Sequence, residues 1–117
     1  DAKVVNLKVS FEVVSVSGTN TTQVLDACTQ RLRRLFSSKL DVGEAFNVTN
    51  IYSALNSVPS VADATWVKIN KASGTSYSSI NFNVKNRTSP DGRFVRAPKN
   101  VIFEVKYPST DIIGTVK

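Results

Sequence analysis

The stretch Asn50–Ile69, NIYSALNSVPSVADATWVKI, decides the fold because it joins a helix to a strand within a short span. Four apolar residues recur at helical spacing before the proline: Ile51, Ala54, Leu55 and Val58. Pro59 cannot continue a helix and disfavours helical backbone at the preceding residue, so the helix should end there. After the proline, one strand face should hold Val61, Val67 and Ile69, and the other Ala62, Ala64 and Trp66.

Upstream of this junction, the sequence predicts a strand and a longer helix. Residues 5–13 alternate apolar with polar side chains, which is typical of a strand with one buried and one solvated face. Asn20 is followed three residues later by Gln23, as in a capping box, and an apolar stripe then runs to Phe36. We therefore predict a helix over this segment, and we expect Thr49 to be the N-cap of the next helix.

Downstream of the junction, alternation predicts a third strand at Ile80–Val84 and a fourth at Val101–Tyr107. The tail after Pro108 either forms a short extra strand that closes the sheet edge or adds to a neighbouring molecule. The order β-α-α-β-β-β predicts an α+β fold, a two-layer sandwich with two helices on one face of a mainly antiparallel sheet. We expect residues 1–117 to form a single α+β domain.

The composition argues against an enzyme. The chain has no histidine, and its single cysteine, Cys28, lies on the apolar stripe of the first predicted helix. The nine acidic residues are spread along the chain without an acid–base pair. We therefore expect no catalytic residue, no metal site and no cofactor. No apolar run approaches the roughly 20 residues that cross a bilayer, so no membrane partner is expected either.

The formal charge of +6 raises an alternative function, a basic nucleic-acid-binding α+β module. The most basic cluster is RLRRLF at residues 31–36, in which Arg33 and Arg34 lie well off the apolar stripe. Arginines placed in this way contact phosphates in a nucleic-acid-binding protein. They also form the solvated side of an ordinary amphipathic helix, and this second interpretation is the one we favour.

Gly43–Ile69, GEAFNVTNIYSALNSVPSVADATWVKI, resembles a pattern of the baseplate J-like proteins of contractile-tailed phages. The pattern is Gly-Glu, an apolar position, a short helix, and then Val58-Pro59-Ser60-Val61 leading into a strand. The resemblance extends from Val4 to Ile69 and applies in particular to the C-terminal region of the wedge proteins that form the inner ring in T4-like phages. A chain that opens at Asp1 without methionine fits a C-terminal fragment of such a protein.

The resemblance implies a structural assembly module of the phage tail baseplate wedge, which joins subunits in the baseplate ring. The implied partners are other copies of the chain, as a homodimer or in ring contacts, and other baseplate wedge proteins. The implied location is the virion, in the tail baseplate, after assembly in the cytoplasm of the host bacterium.

Amphipathicity then suggests the residues of such an interface. Trp66 either packs under a loop or contacts a partner, where tryptophan is enriched. We expect the interface to contain Trp66, Tyr107, Ile112 and Ile113, with Arg33 and Arg34 as its charged rim.

Overall fold

The computed structural model describes residues 2–117, and within them the chain has an α+β fold. The elements in chain order are β1 (Lys3–Ser15), α1 (Thr21–Leu35), β2 (Phe46–Asn47), α2 (Val48–Asn56), β3 (Val61–Lys71), α3 (Val84–Arg87), β4 (Phe94–Val95), β5 (Val101–Glu104), α4 (Pro108–Asp111) and β6 (Ile112–Val116).

The first strand, β1, is the centre of the main sheet. On one side it pairs with β3 in antiparallel orientation. On its other side it pairs with β5 and then β6, both in parallel orientation. The sheet is therefore mixed, and the prediction of a mainly antiparallel sheet is wrong. The reason is that residues 72–100 carry the chain from β3 to the opposite edge of β1, where it returns in the direction of β1.

One face of the sheet, which we call the inner face, forms the core with the helices. The odd-numbered residues of β1 from Val5 to Val13 are fully buried, and they belong to the same apolar cluster as Val24, Cys28, Leu32, Ile51 and Leu55 of the helices. Helix α1 packs against β6, and α2 packs against β3. At Gly114 of β6, an added Cβ atom would contact the Phe11 ring and would lie 2.7 Å from Cδ1 of Leu25. Glycine therefore allows a close approach of α1 to the sheet.

Strand β3 differs from the prediction because two irregularities change its alternation. The register with β1 shifts between Glu12 and Val13 and again between Val14 and Ser15. As a result Ala64 is buried, whereas the sequence pattern placed it beside Trp66 on the opposite face from Val61. Each bulge inserts one extra residue into the strand, which reverses the faces of the residues that follow it.

Both long helices have side-chain N-caps, but only the first cap is the predicted one. Asn20 accepts a hydrogen bond from the backbone N–H of Gln23 at 3.1 Å, which confirms the cap of α1. In α2 the cap is Asn47, whose side chain accepts from the backbone N–H of Asn50 at 3.1 Å, and the prediction of Thr49 is wrong. The helix begins earlier because Asn47 ends the short strand β2 in extended conformation, as an N-cap requires.

The third predicted strand is absent, so the predicted order β-α-α-β-β-β is wrong at that position. Residues 80–83 have no regular structure, and α3 begins at Val84 with Asn83 as its cap. Ile80 and Phe82 nevertheless pack on the core, and the Phe82 ring meets the Phe103 ring edge-on at 5.4 Å between centroids. The alternating pattern therefore reflects the burial of every second side chain without strand pairing.

The fourth predicted strand is shorter than expected, and the tail forms the extra strand. Strand β5 ends at Glu104 instead of Tyr107, and the helical turn α4 then separates it from β6. The buried side chain of Asp111 holds this turn, since it accepts hydrogen bonds from the Tyr77 hydroxyl at 2.6 Å and from the Tyr107 N–H at 3.3 Å. Because β6 pairs with β1, the tail closes the sheet of its own domain.

Candidate interaction surface

The face of the sheet opposite the helices, the outer face, carries the candidate site. Across it, Trp66 of β3 and Thr115 of β6 both pair with Glu12 of β1, while Lys68 and Ile113 pair with Ser10 in the adjacent row. Strands in a sheet lie about 4.8 Å apart, so Trp66 and Ile113 are separated by one strand and by about 10 Å across the sheet.

Three apolar side chains on this face are accessible to solvent. Ile113 is 53% exposed and Val14 is 36% exposed, and Trp66 is half-buried beside them. We call Val14, Trp66 and Ile113 the outer patch. Single exposed apolar residues are ordinary on protein surfaces, so the outer patch is of interest because its members share one sheet face.

Glu12 lies in the middle of the outer patch and is held by its neighbours. Its carboxylate accepts a hydrogen bond from the Thr65 hydroxyl at 2.6 Å and forms an ion pair with the Lys117 ammonium at 3.2 Å. The hydrogen bond from Thr65, followed by the contact with Lys117, lowers the pKa of the Glu12 carboxyl below its ordinary value of 4.5. The charge at the centre of the patch is therefore balanced within the domain.

The other end of the outer face is covered by the loop that follows β3. Asn6 of β1 is buried there, and its side chain accepts a hydrogen bond from the Ser78 N–H at 2.7 Å and donates to Glu104 at 2.9 Å. Next to it the Tyr77 ring packs edge-on against the Tyr107 ring at 5.6 Å. The open part of the outer face is therefore the end that carries the outer patch.

The structure brings together only some of the residues predicted for an interface. Trp66 and Ile113 share the outer patch, and Tyr107 is 39% exposed at the covered end of the same face. Ile112 points to the inner face and is 6% exposed, so it belongs to the core. Parallel pairing with β1 explains this difference, since successive residues of a strand point to opposite faces.

Arg33 and Arg34 lie away from the outer patch. Both are exposed in the last turn of α1, off the buried stripe that faces the sheet. Because α1 packs on the inner side of the sheet, these arginines and the outer patch are on opposite sides of the domain. They do not form a rim around Trp66 and Ile113.

Sequence reasoning missed Val14, although the signal was present. The even-numbered residues Asn6, Lys8, Ser10 and Glu12 form the polar face of β1, and Val14 continues that phase. An apolar residue at a position of the solvated face indicates a surface contact, and the alternation of β1 could have identified it.

Three lysines of the outer face lie over aromatic rings. The Lys68 ammonium is 5.1 Å from the centroid of the Trp66 ring, that of Lys106 is 5.3 Å from Tyr107, and that of Lys8 is 6.0 Å from Tyr77. Distances of up to about 6 Å correspond to cation–π contacts. The face therefore combines positive charge with partly exposed aromatic surface.

Cys28 is buried, and burial raises the pKa of its thiol to about 11, so that the reactive thiolate is scarce near neutral pH. Residues 2–117 contain no group of three or more His, Cys, Asp or Glu side chains that could hold a metal ion. None of the helices in this part of the chain is both long enough and apolar enough to span a bilayer.

Comparison with models of protein families gave no match, and comparison with curated proteins gave none either.

Proposed function

We propose that this domain is a structural assembly module that uses the outer patch to contact other subunits. The observation that carries this proposal is the grouping of Val14, Trp66 and Ile113 on one open sheet face. The inner face of the sheet packs against the helices, whereas Val14 and Ile113 are exposed on the outer face. A few residues contribute most of the binding energy in typical protein interfaces, and tryptophan is enriched among them.

The proposal includes a two-layer architecture for the domain. In this arrangement α1 and α2 form one layer on the inner face and the mixed sheet forms the other. The packing of α1 on β6 and of α2 on β3 supports it, as does the contact between the two helices. A two-layer sandwich has one sheet face without a helix layer, and in an assembly module this face is available to a partner.

We further propose that the assembly is the baseplate of a contractile phage tail, and that the module is part of a wedge protein. The support is the resemblance of Gly43–Ile69 to the baseplate J-like proteins. The proposed partners are another copy of the chain and neighbouring wedge subunits, and the proposed location is the virion after assembly in the host cytoplasm. Closed rings need complementary patches on each copy, which the outer patch supplies on one side. We propose no catalytic role.

Sedimentation velocity over a roughly hundred-fold concentration range tests self-association directly. We expect a dimer or larger species that dissociates on dilution. Trp66→Asp and Ile113→Asp should each weaken association by about tenfold or more, because both place a charge in an apolar contact. Val42→Asp is the matched control, since Val42 is a similarly exposed apolar residue (49%) in the loop after α1. Association that is unchanged in both patch variants would rule out the outer patch.

Nucleic-acid binding is the second candidate function, and the three lysine–aromatic contacts of the outer face favour it. Aromatic side chains beside lysines bind single strands through stacking and phosphate contacts. Titration with labelled single-stranded and duplex DNA at about 50 mM salt tests this function, and binding should fall steeply as salt rises. Absence of binding under these conditions rejects it.

A further inference from the structure

The free edge of β3 has backbone groups that point away from the sheet. The N–H of Ala72 donates to the carbonyl of Asn6 at 2.8 Å, which fixes the phase of the antiparallel ladder at this end. In such a ladder every second residue bonds to the neighbouring strand, and the residues between them direct their N–H and C=O groups outward. Val67, Ile69 and Lys71 are therefore the residues whose backbone groups face the free edge.

Side chains of α2 cover one half of this edge. The Ala64 N–H donates to the Asn56 side chain at 3.0 Å, and the Val67 N–H donates to the Tyr52 hydroxyl at 3.0 Å. Such bonds prevent another strand from pairing there. In the other half, no group within residues 2–117 accepts from the N–H of Ile69 or Lys71.

An open cleft of about 1140 Å³ lies along the uncovered half, between β3 and the segment 81–92. Its apolar lining includes Ile69, Phe82 and Val84, and Lys68, Lys71 and Lys85 supply three positive charges. No aspartate or glutamate lines the cleft. The cleft thus combines a free strand edge, apolar side chains and uncompensated positive charge.

We propose that this cleft binds an extended acidic peptide segment of a partner protein, which adds to β3 as a further strand. An extended backbone offers both donors and acceptors at the strand repeat, and so satisfies the N–H and C=O groups of Ile69 and Lys71 together. A nucleic acid supplies phosphate acceptors, but its donors lie on the bases and sugars and do not alternate with acceptors at the strand repeat. Pairing with the β3 edge of a second copy would place the lysines of the two copies opposite one another, where they repel. Charge therefore favours an acidic segment as the occupant.

The cleft is a second interaction surface of the domain. The outer patch is an apolar group on the outer sheet face, whereas the cleft lies at the edge of β3 and recognises backbone and charge. An assembly module with both surfaces contacts two kinds of partner. Sedimentation velocity tests the outer patch, and a peptide titration tests the cleft independently.

The first test is an NMR titration of the ¹⁵N-labelled domain with the capped peptide Glu-Val-Glu-Val-Glu up to about 1 mM. We expect the amide signals of Ile69 and Lys71 to shift and their hydrogen exchange to slow by about tenfold at saturation. The amides of Lys68 and Asn70 are internal controls, since they already bond to β1. The capped peptide Lys-Val-Lys-Val-Lys is the charge control, and a thymidine decanucleotide is the polyanion control.

Two sets of variants locate the interaction. The double variant Lys71→Gln/Lys85→Gln should weaken peptide binding by about 3- to 20-fold. Ile69→Pro removes one outward N–H and should weaken binding by about 3- to 10-fold relative to Ile69→Ala, which loses a side chain but keeps the N–H. The dispersion of the amide spectrum shows whether each variant is folded, and the lysine variants provide the test should Ile69→Pro not fold.

The proposal is overturned by any of three results: no shift of the Ile69 and Lys71 amides, equal binding of the lysine peptide, or tighter binding of the oligonucleotide at the same amides. The sedimentation result with Trp66→Asp is independent of these outcomes, so failure of the cleft and failure of the outer patch are distinguished.

Discussion

Replacing Gly114 with alanine tests the packing of α1 on the sheet. The backbone of Gly114 does not need a positive φ angle, so alanine is compatible with its conformation and would by itself stabilise the fold by about 0.4–1 kcal/mol through the unfolded chain. However, the added Cβ atom would contact the Phe11 ring and lie 2.7 Å from Cδ1 of Leu25. Overpacking of a core costs about 1–3 kcal/mol. We therefore expect Gly114→Ala to lower the free energy of unfolding by about 1–2 kcal/mol.

Urea denaturation of the purified domain, followed by circular dichroism, measures this change. Thr115→Ala, at the exposed neighbour on the same strand, is the control and should change stability by less than about 0.5 kcal/mol. Phe11→Leu removes the ring atoms that the Cβ of Gly114→Ala would contact. The double variant Phe11→Leu/Gly114→Ala should therefore lose less free energy of unfolding than the sum of the two single losses, by at least about 0.5 kcal/mol. A neutral or stabilising Gly114→Ala, or strict additivity with Phe11→Leu, contradicts this account of the packing.

Three further predictions concern single residues. Asn47→Ala should lower the free energy of unfolding by about 1 kcal/mol because it removes the cap of α2, while Thr49→Ala should cost less than about 0.5 kcal/mol, both measured by urea denaturation. The lowered pKa of Glu12 stabilises the folded state above the ordinary value of 4.5, and this contribution is lost as pH falls through the lowered pKa. The stability of Glu12→Gln should therefore decline less steeply below pH 4.5 than that of the wild type. With its pKa raised to about 11 and its side chain buried, Cys28 should react with a thiol reagent only after unfolding, which absorbance in native and denaturing buffer reports.

The elements that the sequence predicted well are those defined by local signals. The alternation of β1 and the capping box at Asn20 identified the first strand and helix, and Pro59 identified the end of α2 to within a few residues. Local signals did not distinguish a paired strand from a coil that buries alternate side chains, and the segment 80–83 is such a coil. Pairing partners are also non-local, so the parallel contacts of β5 and β6 with β1 could not be derived from their patterns.

The candidate surface was predictable only in part, because local patterns mark single residues but not the pairing of strands. Trp66 and Ile113 stood out because each lay outside the expected core. Their presence on one face depends on the pairing of both edge strands with β1, which only the structure gives. Ile112 differs from Ile113 only in the phase of β6, and the sequence held no marker of that phase. The cleft at β3 depends on which amides remain without partners, which is a property of tertiary structure.

The central position of β1 has a consequence for the order in which the chain folds. The ribosome makes this strand before all of its pairing partners, which begin at Val61, Val101 and Ile112. Its apolar residues therefore remain without their sheet neighbours until those later strands have been synthesised. Long-range pairing of this kind slows folding and prolongs exposure to aggregation. The charged residues Lys8 and Glu12 interrupt the apolar run of β1. Their charges limit aggregation of the strand before its partners have been made.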